Sequence, residues 1–286
     1  MKLQRIISLA NKNSELQFLA MCRSLRATGC DLPIWVIPYN DKKFELPENC
    51  IWWEVLEITT WIDKNRLWPA FKKIQCFLTE NYQYVDSDVI FLKNPALVLQ
   101  PLSGFITSCT HWNNPNETLT SETKIYFKNK STLWPKLVFN SGQWACDTQL
   151  YNLYKLISFC ETNYKDTLFH KNYLYKDQAG INLLVNYTNI EITNLTLPPF
   201  NMESTWAGDY LEEASFRRLD GWREKPYLIH WAGTPVTNYD GINSYFFQFL
   251  TESEKTLFSL SPVKIGYGRT TLKAKVKMIC KIILNK

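Results

Sequence analysis

Short runs of apolar, β-branched residues alternate with stretches whose apolar positions recur every three or four residues. Arg5-Ile6-Ile7-Ser8-Leu9-Ala10 reads as a buried strand. Behind it, Asn13 or Ser14 is placed to cap a helix running through Leu16, Leu19, Cys22 and Leu25, and Gly29 stops it. Pro33 to Ile37 is predicted as a second strand and Cys50 to Ile58 as a third. Asn65 to Thr79 has helical character, with Pro69 in its first turn, where a missing N–H is tolerated. An apolar strand then ends at Val85-Asp86. Strand, helix, strand, repeated, is the rhythm of a parallel sheet covered by helices.

The second half is mixed. Gly104 to Thr107 reads as a strand, residues 111–135 as a polar, variable excursion, and Leu137 to Gly142 as a strand ending in small polar residues. Asp147 to Asn163 is predicted helical. Asp177-Gln178-Ala179-Gly180-Ile181-Asn182 opens a further helix with an acid at its N-terminal end. Pro226 to His230 is a strand delivering a histidine to the polar loop Trp231-Ala232-Gly233-Thr234-Pro235, and Asn243 to Leu260 is again helical. No internal repeat or low-complexity linker interrupts the series.

The candidate chemistry sits at strand ends, where ligands of open α/β sheets bind. Tyr84-Val85-Asp86-Ser87-Asp88-Val89-Ile90-Phe91-Leu92 places two carboxylates one residue apart within an apolar run. In an extended chain these point to the same side, and two like charges so close call for a cation between them. A hard divalent ion carrying phosphate oxygens answers that need. Taken alone, the spacing also describes two solvated turn carboxylates.

Bulk properties narrow the class. The 286 residues and 45% hydrophobic content suit one large domain, drawn at 1–260, with a basic tail at 261–286. A net charge of +5 is too mild to argue for nucleic acid. Much of it stands in the tail as Arg269, Lys273, Lys275, Lys277, Lys281 and Lys286. There, Leu272, Val276, Ile279 and Ile283 fall at helical spacing, so the tail can lie on an anionic membrane surface or pack its stripe on the domain. The first residues read as a strand rather than a signal peptide, and no run has the length of a membrane span. None of the 8 cysteines pairs at C-x-x-C spacing, so buried free thiols in a reducing compartment are expected and the localisation is read as cytoplasmic, with peripheral contact to the inner membrane face through the tail.

Four landmarks in one order resemble a GT-A glycosyltransferase of the glycogenin type. They are Asp86-Ser87-Asp88, Phe139-Asn140-Ser141-Gly142, Asp177-Gln178-x-x-Ile181-Asn182 and His230-Trp231-Ala232-Gly233. The resemblance covers roughly residues 5–235 and implies a Rossmann-like, mixed α/β sheet flanked by helices. It implies a metal-dependent transfer of sugar from a nucleotide donor, favouring a UDP-sugar, with retention of anomeric configuration. The metal would be Mn²⁺ or Mg²⁺, held by Asp86, Asp88 and His230, with Asp86 also facing the donor ribose. By the same resemblance Asp177 accepts hydrogen bonds from the donor sugar and Gln178 lies beneath the anomeric carbon. Asn140, Gly142 and Gly233 line the donor site, and Lys73 reaches the donor from the preceding helix. Helix capping by Asp177, a plain turn at Asn140 and Gly142, and a solvated Lys73 beside Lys72 are the structural alternatives.

The family commonly carries a lysine three residues after the H-x-x-G glycine; here that place holds Val236. Lys264 and Arg269, beside Gly266 and Gly268, are candidates to replace it. Ser8-Leu9-Ala10-Asn11 stands where a uridine-binding signature is expected, so the base is open. The acceptor, whether glycan, lipid-linked or protein, is not legible. A non-catalytic nucleotide-sugar-binding relic is the second class, and a D-x-D phosphohydrolase, echoed by Gly208-Asp209, the third.

Overall fold

A computed structural model describes residues 1–165, 177–221, 225–236 and 239–260. The strands among the described residues are β1 (Arg5–Ala10), β2 (Ile34–Pro38), β3 (Cys50–Trp52), β4 (Tyr82–Asp86), β5 (Val89–Phe91), β6 (Phe105–Thr107), β7 (Gln143–Cys146), β8 (Ile192–Asn194) and β9 (Leu228–His230). Seven form one sheet in the order β3-β2-β1-β4-β7-β6-β8; β5 and β9 pair separately. The first four neighbours run parallel, whereas β7 is antiparallel to β4 and β6.

Alternation along the central strands builds a core on each face. Ile7, Leu9, Tyr82, Tyr84, Trp144 and Cys146 face one cluster. Ile6, Ala10, Val85 and Ala145 face the other. Helix α1 (Glu15–Ala27) covers the second face with Phe18, Met21, Cys22 and Leu25. The first face is covered by α2 (Leu56–Lys64), a 3₁₀ run at Pro69–Leu78, α5 (Leu153–Lys165) and α6 (Gln178–Tyr187). Short helices α3 (Pro95–Leu99) and α4 (Ser121–Lys130) precede these two, and α7 (Glu213–Gly221), α8 (Ser244–Phe247) and α9 (Glu252–Leu260) follow. A third apolar cluster joins the β5–β9 pair to α7–α9 through Ile90, Ile229, Trp231, Phe246 and Phe258.

Several elements differ from the sequence expectation. The third strand ends at Trp52, and Leu56 already begins α2, whose Ile58, Trp61 and Ile62 supply a buried i, i+3, i+4 face. The helical run after Pro69 is 3₁₀ and is buried almost throughout, from Ala70 to Phe77. Leu137 to Gly142 is not a strand; sheet pairing begins at Gln143. The excursion at 111–135 contains α4, and the final helical stretch is broken between α8 and α9. The helix expected from Asp147 starts at Leu153, because the Asp147 side chain accepts from Gly104 N at 2.8 Å instead. Gly29, at φ +76°, closes α1 as expected.

Among the described cysteines all seven are free, and six are buried. No described helix is long and apolar enough to cross a membrane. The tail from 261 onward, with Lys264, Arg269 and Cys280, lies outside the described residues, as does His170.

A two-pronged ion pair fastens α9 to α1. Arg23 places its guanidinium nitrogens 2.6 and 2.8 Å from the two carboxylate oxygens of Glu254, and also donates to Phe249 O. Hydrogen bonding from Arg23 holds Glu254 down at about 2, below its ordinary 4.5. A carboxylate depressed in the folded state stabilises at pH above its unfolded value, and that stability disappears as pH falls through the folded one. Glu254→Gln is expected to cost about 1 kcal/mol at pH 7, and the gap to wild type should close between pH 4.5 and 2. Urea denaturation across that range is the check.

Candidate functional site

The carboxyl end of β4 is where the chemistry collects. β4 ends at Asp86, Ser87 and Asp88 turn, and Val89 starts β5. The two carboxylates therefore do not share one face of an extended strand, as the spacing suggested; a turn aims them together. β5 then pairs antiparallel with β9, setting Val89 opposite His230. The backbone fixes the histidine on both sides, since His230 N donates to Thr205 O at 2.7 Å and Trp231 N to Asp88 O at 3.0 Å.

The result is a buried triad. His230 Nε2 lies 3.2 Å from Asp88 Oδ1 and 3.8 Å from Asp86 Oδ2. One ligand atom from each of the three lies within 4.8 Å of the others. Among the described residues, Asp88 Oδ1 is buried and accepts no well-formed hydrogen bond, even from His230 Nε2 nearby, which is costly for a carboxylate oxygen. Two carboxylate oxygens and an imidazole nitrogen are a mixed oxygen–nitrogen donor set suited to a divalent ion, so the residues fit a metal. Burial raises the Asp86 pKa, Lys73 and His230 pull it down, Asp88 raises it further, and the net direction is upward.

Lys73 ties this triad to a second cluster. It projects from the 3₁₀ run, with 3% of its surface exposed. Its ammonium lies 3.0 Å from Asp86 Oδ1, 2.8 Å from Asp177 Oδ2 and 3.1 Å from Ser141 O. Burial disfavours the charge, but the two carboxylates outweigh it, and Lys73 is held above the usual lysine range. Asp177 moves the other way: burial would raise it, and Lys73 with Ser141 brings it below the usual carboxylate range. Lys72 points elsewhere, 3.2 Å from Glu54, so neither lysine is solvated.

Asp177 stands at the N-cap position of α6 yet makes no capping hydrogen bond. Its carboxylate takes the Ser141 hydroxyl at 3.0 Å instead. Gln178 Oε1 accepts from Ser141 N at 3.2 Å. One turn later, Asn182 accepts from Phe139 N at 2.9 Å and donates to Phe139 O at 2.8 Å. Those amide bonds replace the ladder a strand would have needed, which is why 137–142 is a clamped loop.

Gly142 is confined rather than incidental. A Cβ there would lie 2.1 Å from His230 Cε1 and 2.8 Å from both Asp86 Oδ2 and Asn140 Oδ1. Asn140 Oδ1 accepts from Gly142 N at 2.7 Å, and Gly142 O accepts from Asp86 N at 2.8 Å. Gly233 is different: it has φ +67° in the loop after β9, with nothing near the missing Cβ. Tyr84 and Ser141 belong to the arrangement without having been singled out. Tyr84 OH donates to Asp86 Oδ1 at 2.5 Å, and its place two residues before Asp86 on one strand face was the available signal.

The chain matches no protein-family model and no curated protein. Solved structures do match. The WbbM bifunctional glycosyltransferase, in its apo form, aligns with 90% of this chain at 13% identity and a TM-score of 0.59. The glycosyltransferase GlyE of Streptococcus pneumoniae TIGR4 aligns in its apo form with 92% of the chain at 14% identity and a TM-score of 0.50. This chain spans 51% of the WbbM chain and 64% of GlyE. At such identities the likeness is one of fold, and the mixed α/β glycosyltransferase-type fold expected from the landmarks is the one found.

Two substitutions probe the site without reference to activity. Lys73→Met leaves Asp86 and Asp177 buried without their cation, and should cost about 3–5 kcal/mol in denaturant unfolding at pH 7. Gly142→Ala must displace His230 or Asp86. Mn²⁺ affinity by isothermal titration calorimetry should fall by about 10-fold or more, in the range seen when groups supporting a metal site are disturbed.

Proposed function

We propose that this chain is a metal-dependent glycosyltransferase that moves a sugar from a nucleotide-sugar donor, a UDP-sugar in the first instance, with retention of configuration. One observation carries the reading. Asp86, at the carboxyl end of β4, is shared by the Asp88–His230 triad and the Lys73–Asp177 cluster. The first is suited to a metal-bound diphosphate and the second to the hydroxyls of a sugar.

Asp86, Asp88 and His230 would hold Mn²⁺ or Mg²⁺, which when bound supplies positive charge for a departing diphosphate. Lys73 keeps Asp177 ionised and oriented, so that Asp177 accepts from donor-sugar hydroxyls. Gln178, pinned through Ser141, lies beneath the anomeric carbon. Asn140 spends its carbonyl oxygen on Gly142 N and offers its amide NH₂ to the donor. Gly233 lets the loop after β9 approach the diphosphate. In the retaining step the acceptor oxygen bonds to the anomeric carbon as the bond from that carbon to the diphosphate oxygen breaks. The departing oxygen takes the acceptor's proton on the same face.

The catalytic unit is drawn at 1–260, acting in the cytoplasm, with the tail available for an anionic membrane face. A second reading, a nucleotide-sugar-binding relic, draws on Val236. It occupies the place of the family's lysine and packs against the third apolar cluster.

A panel of nucleotide sugars incubated with Mn²⁺ decides between these. Wild type should hydrolyse at least one donor slowly. Asp88→Asn, which keeps shape and removes charge, should lower that rate by about 100-fold or more, the scale of losing an electrostatic contact to developing charge. Equal rates in Asp88→Asn, or in EDTA, would sink the mechanism. Nucleotide-sugar binding without turnover of any donor would support the relic.

A further inference from the structure

The described tryptophans are buried or half-buried except Trp206, which is 44% exposed. It is also held firmly. Its backbone pairs with His230 in an isolated parallel bridge outside the named strands. Bridged residues project to the same side of a sheet, so Trp206 leaves the backbone on the side from which His230 enters the triad. The indole N–H donates to Ala232 O at 2.9 Å, fixing the ring's rotation. From behind, Gly208 presses on the ring: a Cβ there would lie 2.4 Å from Cζ2 and 2.5 Å from Cε2. One face is therefore spent on backbone, and the ring cannot swing without breaking a hydrogen bond.

Trp206 is an exposed aromatic ring held in one orientation by its hydrogen bond to the loop that follows His230. Its flat apolar face with a polar edge suits the C–H face of a pyranose. Among the described residues, Trp206 hydrogen-bonds none of Lys73, Asp177, Gln178 and Asn140, and its links to the site are the bridge to His230 and the bond to Ala232 O. A transferase must hold a second reactant within bonding reach of the first, which requires a binding surface separate from that of the donor.

We propose that Trp206 is the stacking platform of the acceptor subsite, and that the acceptor presents a pyranose ring to it. The inference rests on the glycosyltransferase reading and adds the acceptor's chemical class and the residue that receives it. Gly208 keeps the platform in place by having no side chain.

The test uses binding. Methyl pyranosides of glucose, galactose and N-acetylglucosamine are presented, one at a time, to the full chain with Mg²⁺ and UDP, and followed by saturation-transfer NMR. UDP affinity is measured separately by calorimetry. Wild type should bind at least one pyranoside. Trp206→Ala should weaken it by about 10-fold, as expected for loss of one aromatic contact, and Trp206→Phe should restore most of the affinity. UDP affinity should stay within about twofold throughout, as expected if no donor contact is lost. Should Trp206→Ala fail to fold, Trp206→Gln, which keeps bulk but has no ring face, replaces it.

No pyranoside binding to wild type, or undiminished binding in the ringless variant, overturns the proposal. A parallel loss of UDP affinity also overturns it, by assigning the ring to the nucleotide. Absence of UDP binding in wild type counts instead against the underlying UDP-sugar transferase reading, so the two failures are distinguishable.

Discussion

A single buried ammonium organises the centre of this molecule. Lys73 reaches Asp86 on β4, Asp177 at the head of α6 and the carbonyl of Ser141 in the loop before β7. Three segments far apart in sequence thus share one cation in a place too dry for an unpaired charge. Neither carboxylate can be moved without stranding the lysine, and the lysine cannot leave without setting two buried carboxylates near one another. The 3₁₀ segment that carries Lys73 is packed on the sheet through Phe71, Ile74 and Phe77.

Around that constraint the sheet divides its labour. The parallel half, β3-β2-β1-β4, is ordinary doubly covered α/β construction and brings Asp86 to a carboxyl edge. The small β5–β9 pair has another task. By reversing the chain immediately after Asp88 and pairing it with residues about 140 positions later, it sets His230 against the two carboxylates. Its outer side is sealed by the Trp231, Phe246 and Phe258 cluster, with Trp231 Nε1 hydrogen-bonded to Asn243. A rigid triad results from strand pairing, and not from loop convergence, which favours precise placement.

The polar motifs turn out to be mutual scaffolds. Asn182 reads in sequence as the end of D-Q-x-x-I-N, and in the fold it clamps Phe139 at both amide groups. Ser141 joins Asp177 and Gln178 to the loop that holds Gly142 against His230. Each motif is positioned by another: none keeps its geometry alone.

Local pattern was enough for β1, α1, β2 and β4, because their apolar periodicities were unambiguous and Gly29 marked the end of α1; the cap expected at Asn13 or Ser14 is made instead by Asn11, one turn earlier. It also separated Asp86, Asp88 and His230 from the background as residues at strand ends, and it marked Asp177 at a helix start. It was insufficient wherever a residue's partner lay far away in sequence. Whether Asp177 caps α6 or faces a cation depends on Lys73, roughly 100 residues earlier. Whether Leu137 to Gly142 pairs in the sheet depends on an amide from α6. Which of Lys72 and Lys73 enters the site depends on the rotation of a 3₁₀ run that is buried on nearly every side, where periodicity carries no information. The kinds of chemistry available are written along the chain; their assembly into one site is decided by long-range pairing and burial, which no local window contains.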